Sequence, residues 1–434
     1  MSKKMSTSKR KYAIRTIVCA DGERLPLLVN VQSGVPLFEP TVWSIREARN
    51  MGMASGTIET RLRSAMILTI FLEQRGIDLD ARMRDGEILT VGEIDALEAF
   101  CRLPTEMMWS DQEIEATRPR QKRKIVSLER VRMGSTIAST VKKVTRETLR
   151  LRLIYIPMYI RHLVANRLLQ LRPIDPAYTS LMIRRDEVIE MIEERIPKRI
   201  WETDVPRQGM TGEAKEQFNK IIHPDGTDKP WTSEHTKKRN TLMLQCFLRL
   251  GIRRGELGGI KIRNINFTNN TVTIHRNADD PKDPRKHQPK TKTLGRALPL
   301  DKGLAQLASN YIKETRSKFE GARRHNFLFV ANGTGRPIAL RTINAVFAPL
   351  KKKWPDVFDD MSPHVLRHSF NDNLSDEFDK SETKSAEEEK LRNELNGWKP
   401  NSKMAWRYTR RSTKARANKV SLNMQSNAMG EAKK

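Results

Sequence analysis

The sequence predicts a mainly α-helical protein with a small antiparallel β-sheet in its C-terminal half, an α+β chain in two principal domains. Three observations carry this. From about Ser44 onward, apolar residues recur at a helical period. Two strand-like runs, Ile265 to His275 and Ala297 to Leu300, lie late in the chain. Between Ile196 and Trp231 the pattern is interrupted by Pro197, Pro206, Gly209, Gly212, Pro224, Gly226 and Pro230. A chain of 434 residues has room for two or three domains of ordinary size.

The elements follow in order. After a basic start, MSKKMSTSKRKY, the runs Tyr12 to Cys19 and Arg24 to Val29 flank Asp21-Gly22 as a β-hairpin would. Residues 1–43 are therefore expected to form a basic segment with a hairpin. Ile58, Leu62, Ala65, Met66, Leu68 and Leu72 then define a helix that Gly76 should stop. A second helix is expected over Glu93 to Leu103. From Arg118 to Arg152 the only acidic residues are Glu129 and Glu147 among many Lys and Arg, an imbalance that favours a phosphate-facing surface. Helical pattern resumes through Leu149, Leu153, Ile160, Leu163 and Leu168, with Pro157 expected to bend or break it. Residues 44–200 thus read as a helical domain and 201–211 as a linker.

The domain from 212 to 434 should open with a helix over Gly212 to Ile222, followed by one through Leu242, Leu244, Phe247 and Leu250 that Gly251 ends. The Asp-, Pro- and Lys-rich connection between the two strand-like runs reads as a mobile loop. Beyond Phe327 to Val330 the remainder is expected to be helical, and Ser375 to Asn396 stands out as a mixed-charge stretch rich in Glu and Lys.

Composition restricts the function classes. A net charge of +28 favours a polyanionic partner, because each phosphate contact releases condensed counterions. A ribosomal protein or a membrane-surface binder would show the same balance. Cys19, Cys101 and Cys246 are widely separated, so neither a disulfide framework nor a zinc knuckle is expected, and a reducing cytoplasm fits. No run approaches the roughly 20 apolar residues that cross a bilayer. The expectation is a cytoplasmic, nucleoid-associated protein with no membrane partner.

The chemistry lies in one ordered set of side chains. Arg253 stands in GIRRGEL, with Arg254 as a register rival and Glu256 either bracing Arg253 through an ion pair or simply beginning the next helix. Lys290 and Lys292 flank Thr291 in PKTKTLGRALPL, and spacing alone does not separate the two lysines. His364 and Arg367 lie three apart in SPHVLRH, with Ser362 as N-cap and Pro363 at the first helical position. That spacing puts both on one helix face near an N-terminus that favours phosphate. Trp398 follows Gly397, and Tyr408 is the last tyrosine, followed by Thr409, Arg410 and Arg411.

Taken singly, each residue is more often a surface charge or a packing group. Together they suit cleavage of a phosphodiester. Tyrosine can attack phosphorus, lysine can protonate the leaving oxygen, and arginines can hold a pentavalent phosphorane through bidentate hydrogen bonds. His364 and His368 also have zinc-ligand spacing, but Val365 stands where the metalloprotease pattern needs glutamate. Neither a metal nor a nucleotide cofactor is expected.

Residues from roughly 212 to 411 resemble the catalytic domain of the tyrosine recombinases, the phage-integrase family. GIRRGEL resembles the family's first arginine box, HVLRH its His-x-x-Arg box, and GWKPNSKMAWRY its closing box with the nucleophile. The resemblance implies Arg253 and Arg367 as phosphate clamps, Lys290 as general acid on a β-hairpin, and His364 as a proton-transfer or phosphate-contacting residue. It also implies Trp398 as a hydrogen-bond donor where many members have histidine, and Tyr408 as nucleophile. Tyr408 follows Trp398 by one position more than in the commonest form of the box, and Asp279 to Gln288 is an insertion. Residues 44–200 more weakly resemble the helical core-binding domain that completes the family's DNA clamp.

The resemblance implies a site-specific recombinase or integrase that forms a 3′-phosphotyrosyl link on double-stranded DNA for a mobile element. It would act as a homo-tetramer on synapsed duplexes, with room for an accessory directionality factor. Residues after Tyr408 suffice for a short helix docking on a neighbouring protomer through Val420, Leu422 and Met424. Two other readings use the same fold: a type IB topoisomerase, and a non-catalytic DNA-binding protein on a degenerate copy.

Overall fold

A computed structural model of the chain describes residues 10–109, 143–198, 209–275, 279–289, 293–381, 383–400, 402, 404–405, 417–418 and 420–426. It divides into two compact units, one of residues 1–19 and 24–201, the other of residues 20–23 and 202–434.

The first unit begins with β1 (Tyr12–Val18) and β2 (Arg24–Asn30), paired antiparallel from Tyr12 opposite Asn30 to Val18 opposite Arg24. The helices are α1 (Phe38–Ser44), α2 (Ser55–Gln74), α3 (Leu79–Arg84), α4 (Val91–Cys101), α5 (Arg146–Leu168) and α6 (Pro176–Glu194). Their starts are chemically explicit. Thr90 and Glu93 form a reciprocal capping box on α4, Thr145 caps α5, and Asp175 caps α6 ahead of Pro176. β2, α5 and α4 pack on α2, whose Ile58, Leu62, Ala65 and Leu68 are buried in the unit's core. α5 runs through Pro157 without the break that the proline could have caused. Leu149, Leu153, Ile156, Ile160 and Val164 are buried along it, and this packing outweighs the one backbone hydrogen bond that proline removes. Most of the basic stretch from Arg118 lies outside the described residues.

The second unit contains α7 (Gly212–Ile222), α8 (Glu234–Leu250), α9 (Arg254–Gly259), β3 (Ile265–Asn266), β4 (Thr271–Ile274), β5 (Arg296–Pro299) and α10 (Lys302–Asn310). It continues with α11 (Leu340–Ala345), α12 (Ala348–Lys353), α13 (Pro355–Phe358), α14 (Pro363–Lys380) and α15 (Ser385–Asn396). The strands form one antiparallel sheet in the order β3-β4-β5. α8 is the spine, buried along most of its length and packed against α7, α10 and α14.

Two expectations change here. Ile265 to His275 is not one strand but two, β3 and β4, turned back at Asn270, which adopts a left-handed φ of +47°. Asparagine tolerates that region better than most residues because its short amide can bond locally. The connection after β4 is held rather than mobile over its described residues. Arg285 pairs with Asp283 at 2.8 Å in the interior, donates to the carbonyls of Gly258 and Ile338, and lies 4.3 Å from the centre of the Phe327 ring. The mixed-charge stretch from Ser375 to Asn396 is helical, as expected of the remainder: it becomes the end of α14 and all of α15, with Glu388 and Arg392 buried.

Beyond Tyr408, residues 420–426 are helical, and Val420, Leu422 and Met424 are exposed. Among the described residues no helix is long and apolar enough to cross a membrane.

Candidate nucleic-acid cleavage site

The approach to Arg253 is fixed by Gly251. α8 ends there with Gly251 in the left-handed conformation, φ +58°, its N–H returned to the Phe247 carbonyl at 3.1 Å. A side chain at this point would strike the Phe370 ring of α14 at 2.1 Å, so glycine is needed twice over, for the turn and for the close helix packing. Two residues later Arg253 occupies the N-cap position of α9, half-buried, and its own N–H donates to Glu256 Oε2 at 2.9 Å.

Glu256 is the centre of a buried knot. Its side chain is fully enclosed, and Arg296 of β5 donates to it at 3.0 Å. Thr293 Oγ1 donates to Glu256 Oε1, and Arg253 Nη1 stands 3.5 Å from the same oxygen. Burial alone would raise the carboxyl's pKa. The Arg296 hydrogen bonds and charge, with Thr293 and the Arg253 N–H, overcome this and hold it below the usual glutamate range. Arg253 Nη1 is buried with no hydrogen-bond partner among the described residues. The arginine is braced, with donor capacity still unused.

α14 starts as its sequence demands, with Ser362 accepting from the Val365 N–H and Pro363 at its first position. His364 is exposed, whereas Arg367 is 3% exposed. Arg367 donates Nη1 to the Gly251 carbonyl and Nη2 to the Asn396 carbonyl at 3.4 Å. Arg253, His364 and Arg367 line one open cleft of about 680 Å³, together with Arg254, Lys351 of α12 and the Ser362–Pro363 start of α14. Among the described residues no carboxylate lines it. Four fixed cations and a helix N-terminus facing an acid-free cleft make an anion site.

Trp398 lies behind this cleft rather than in its wall. Its residue is buried, and the Arg367 guanidinium stands 5.4 Å from its ring centre. α15 delivers it by ending at Gly397, again left-handed at φ +65°, and the Trp398 N–H returns to Asn393 at 2.8 Å. A Cβ at Gly397 would meet Arg296 Nη1 at 2.6 Å and the Leu294 carbonyl at 2.9 Å, so this turn, β5 and the Glu256 knot are packed together.

Lys290, Lys292 and Tyr408 lie outside the described residues. The chain returns at Thr293, bonded to Glu256, while the Leu294 N–H donates to the Gly397 carbonyl at 2.9 Å. The lysine-bearing segment is therefore tied, at its C-terminal side, between Arg253's brace and Trp398's turn.

The reading from sequence missed three contributors: Lys351 in the cleft wall, Arg296 as the partner of Glu256, and the buried polar residues of α15. A signal for the last existed. Glu388, Arg392 and Asn396 recur every four residues, marking one helix face, but polar residues at that spacing ordinarily face solvent.

Residues 213–381 match the family model described as the phage integrase family. No curated protein matches the chain. Among solved structures, the Tn1549 transposon integrase in complex with transposon right end DNA is 16% identical, covering 89% of this chain and 100% of that one at a TM-score of 0.47. The XerA recombinase is 14% identical over 86% of this chain and 92% of that one, at 0.33. The XerH recombinase bound to a palindromic difH substrate is 14% identical over 82% and 95%, at 0.39. The family model is what carries weight.

Proposed function

We propose, from the match of residues 213–381 to the phage integrase family model, that this chain is a tyrosine-type site-specific recombinase acting on double-stranded DNA, integrating or excising a mobile element. The observation that carries the reading is the acid-free cleft on which Arg253, His364 and Arg367 converge.

In this mechanism a scissile phosphate enters the cleft and is held by Arg253 and Arg367. Both stay charged at any physiological pH and can donate two hydrogen bonds each. The Tyr408 phenolic oxygen attacks phosphorus in line. Its proton passes to His364 as the new P–O bond forms, and the bond to the 5′ oxygen breaks. Lys290, or Lys292 beside it, supplies the proton that the leaving 5′ oxygen needs. The product is a 3′-phosphotyrosyl ester that conserves the bond energy, so a 5′ hydroxyl from another strand can reverse the step without ATP. Trp398 supports Arg367 from behind. Exchange between duplexes requires four protomers on two sites, and the helical unit before residue 201 completes the clamp on DNA.

The test is covalent selection. A pool of nicked duplexes with a randomised core is incubated in EDTA with wild type and with Tyr408→Phe, and denaturant-resistant adducts are recovered and sequenced. Adducts of one consensus with wild type, absent from the variant, support the reading. Adducts that persist in Tyr408→Phe remove Tyr408 as nucleophile, and tight binding without any adduct makes the protein a binder. Recombinant products from two marked duplexes then separate a recombinase from an enzyme that only relaxes DNA.

A further inference from the structure

Two of the catalytic boxes sit on different helices, Arg367 on α14 and Trp398 just past α15, and what joins those helices is polar and fully buried. Asn396 Nδ2 donates to Asn371 Oδ1 at 3.1 Å, and Asn371 Nδ2 donates back to Asn396 Oδ1 at 3.3 Å. Each amide is also anchored one turn back on its own helix: Asn371 Nδ2 donates to the Arg367 carbonyl at 2.9 Å, and Asn396 Nδ2 to the Arg392 carbonyl at 3.1 Å. Arg392 is 0% exposed, and it donates to the Asn371 carbonyl at 3.0 Å, Ser375 Oγ at 2.6 Å and Glu388 Oε1 at 2.9 Å. The Asn396 carbonyl in turn accepts from Arg367 itself.

This differs from an apolar contact in one respect. Leucines at these points would bury similar area yet allow the helices to slide, because apolar packing has no directional partner. A reciprocal amide pair with a buried arginine is satisfied in a single register, and a shift along either helix orphans several buried polar groups at once. Buried polar residues that specify register at some cost in stability are the best-attested use of such groups. None of Asn371, Arg392 and Asn396 lines the cleft.

We propose that Asn371, Arg392 and Asn396 are positioning residues for strand cleavage: they lock the register of α15 against α14 and so set Arg367 relative to the Trp398 turn from which the chain continues to Tyr408. Asn393 extends the lock one step, its Nδ2 donating to the Pro400 carbonyl at 3.0 Å. The inference rests on the recombinase reading, and the experiment separates failure of one from failure of the other.

The full-length chain is compared with Asn396→Leu, Asn396→Asp and the double variant Asn371→Leu/Asn396→Leu, using the nicked duplex recovered by covalent selection. A second form of that duplex carries sulfur at the bridging 5′ position, where the leaving group needs no proton. Expected are DNA affinity within about twofold of wild type and adduct formation about 10- to 100-fold slower, the scale of an ångström's misplacement. The loss should be equal on oxygen and sulfur substrates, since alignment and not protonation has failed. Asn396→Asp, which keeps the acceptor for Asn371, should be faster than Asn396→Leu. The double variant should stay slow even if its thermal midpoint recovers. Wild-type rates in the folded variants, restoration of rate in the double variant, or rescue by sulfur would each overturn the positioning role while leaving the recombinase reading intact. A covalent selection from which wild type yields no adduct at all would overturn both.

Discussion

Arg253 and Arg296 share one carboxylate, and the geometry decides between them. Arg296 is buried and hydrogen-bonded to Glu256 at 3.0 Å, while Arg253 stands off at 3.5 Å with Nη1 unbonded among the described residues. Glu256 thus neutralises Arg296 and only orients Arg253, the arginine proposed to hold phosphate. Glu256→Ala should cost about 3–5 kcal/mol, because it strands Arg296 as an uncompensated buried charge. Glu256→Gln keeps the shape, and its effect should depend on pH. The folded carboxyl lies below its unfolded value, so its stabilisation is complete above that value and is lost as pH falls through the folded one. The stability gap between wild type and Glu256→Gln should therefore narrow below about pH 4.3, which chemical denaturation at stepped pH measures. The lysines can be separated at the same scale. If one of Lys290 and Lys292 is the general acid, its Ala variant should be slow on an oxygen leaving group and near wild type on sulfur, while the other changes both rates alike.

At the scale of elements, the two left-handed glycines were legible in part and their reasons were not. Gly251 reads as a helix stop, yet only the structure shows Phe370 lying against it. Gly251→Ala should accordingly destabilise by more than the ordinary cost of about 1 kcal/mol for a residue forced into the left-handed region, and should slow cleavage because Arg253 and Arg367 both hang from that junction. Periodicity found α2, α7 and α8 because their apolar faces match what they bury. α15 fell within the stretch read as helical, but its buried face was not legible: it carries Glu388, Arg392 and Asn396 while Leu391 is exposed, so polarity there points the wrong way. The connection after β4 was not legible for the same reason: Asp, Pro and Lys suggest solvent, but Asp283 and Arg285 neutralise each other and can be buried as a pair. His235 at the start of α8 gives a separate test. Burial, then the Arg239 charge, pushes its pKa down to about 4 against a weaker upward pull from Asn332. Between that value and about 6.5 the unfolded chain binds a proton that the folded one does not, so stability falls as pH drops through the window. His235→Phe, which can keep the edge contact with Phe319, should flatten that part of a thermal-midpoint profile.

Among the described residues the two large cores share no residue, one built from Tyr12 to Ile192 and the other from Ala214 to Leu366, with a small third cluster of Leu25, Leu27 and Val29. The boxes proposed for catalysis stood out because the proposed chemistry needs particular residue types in a fixed order, and of these residues the structure brings Arg253, His364 and Arg367 to one cleft. The first unit was legible as a hairpin and helices from its apolar periodicity. Charge is also where the molecule can be tested as one object. With a net charge of +28, its affinity for DNA should fall linearly on a plot of log affinity against log salt, because each neutralised phosphate releases counterions with a slope of about −0.9. Lys351 lines the cleft but has no part in the proposed chemistry. Lys351→Ala should therefore weaken binding of specific and random duplexes alike, reduce the steepness of that slope by about one, and leave the rate of adduct formation at saturating DNA unchanged. Fluorescence anisotropy across a salt series measures the first two and a single-turnover assay the third. A slope unaltered in Lys351→Ala would mean that the phosphate does not pass along the α12 side of the cleft, and that the backbone reaches Arg253 and Arg367 from the Arg254 side instead.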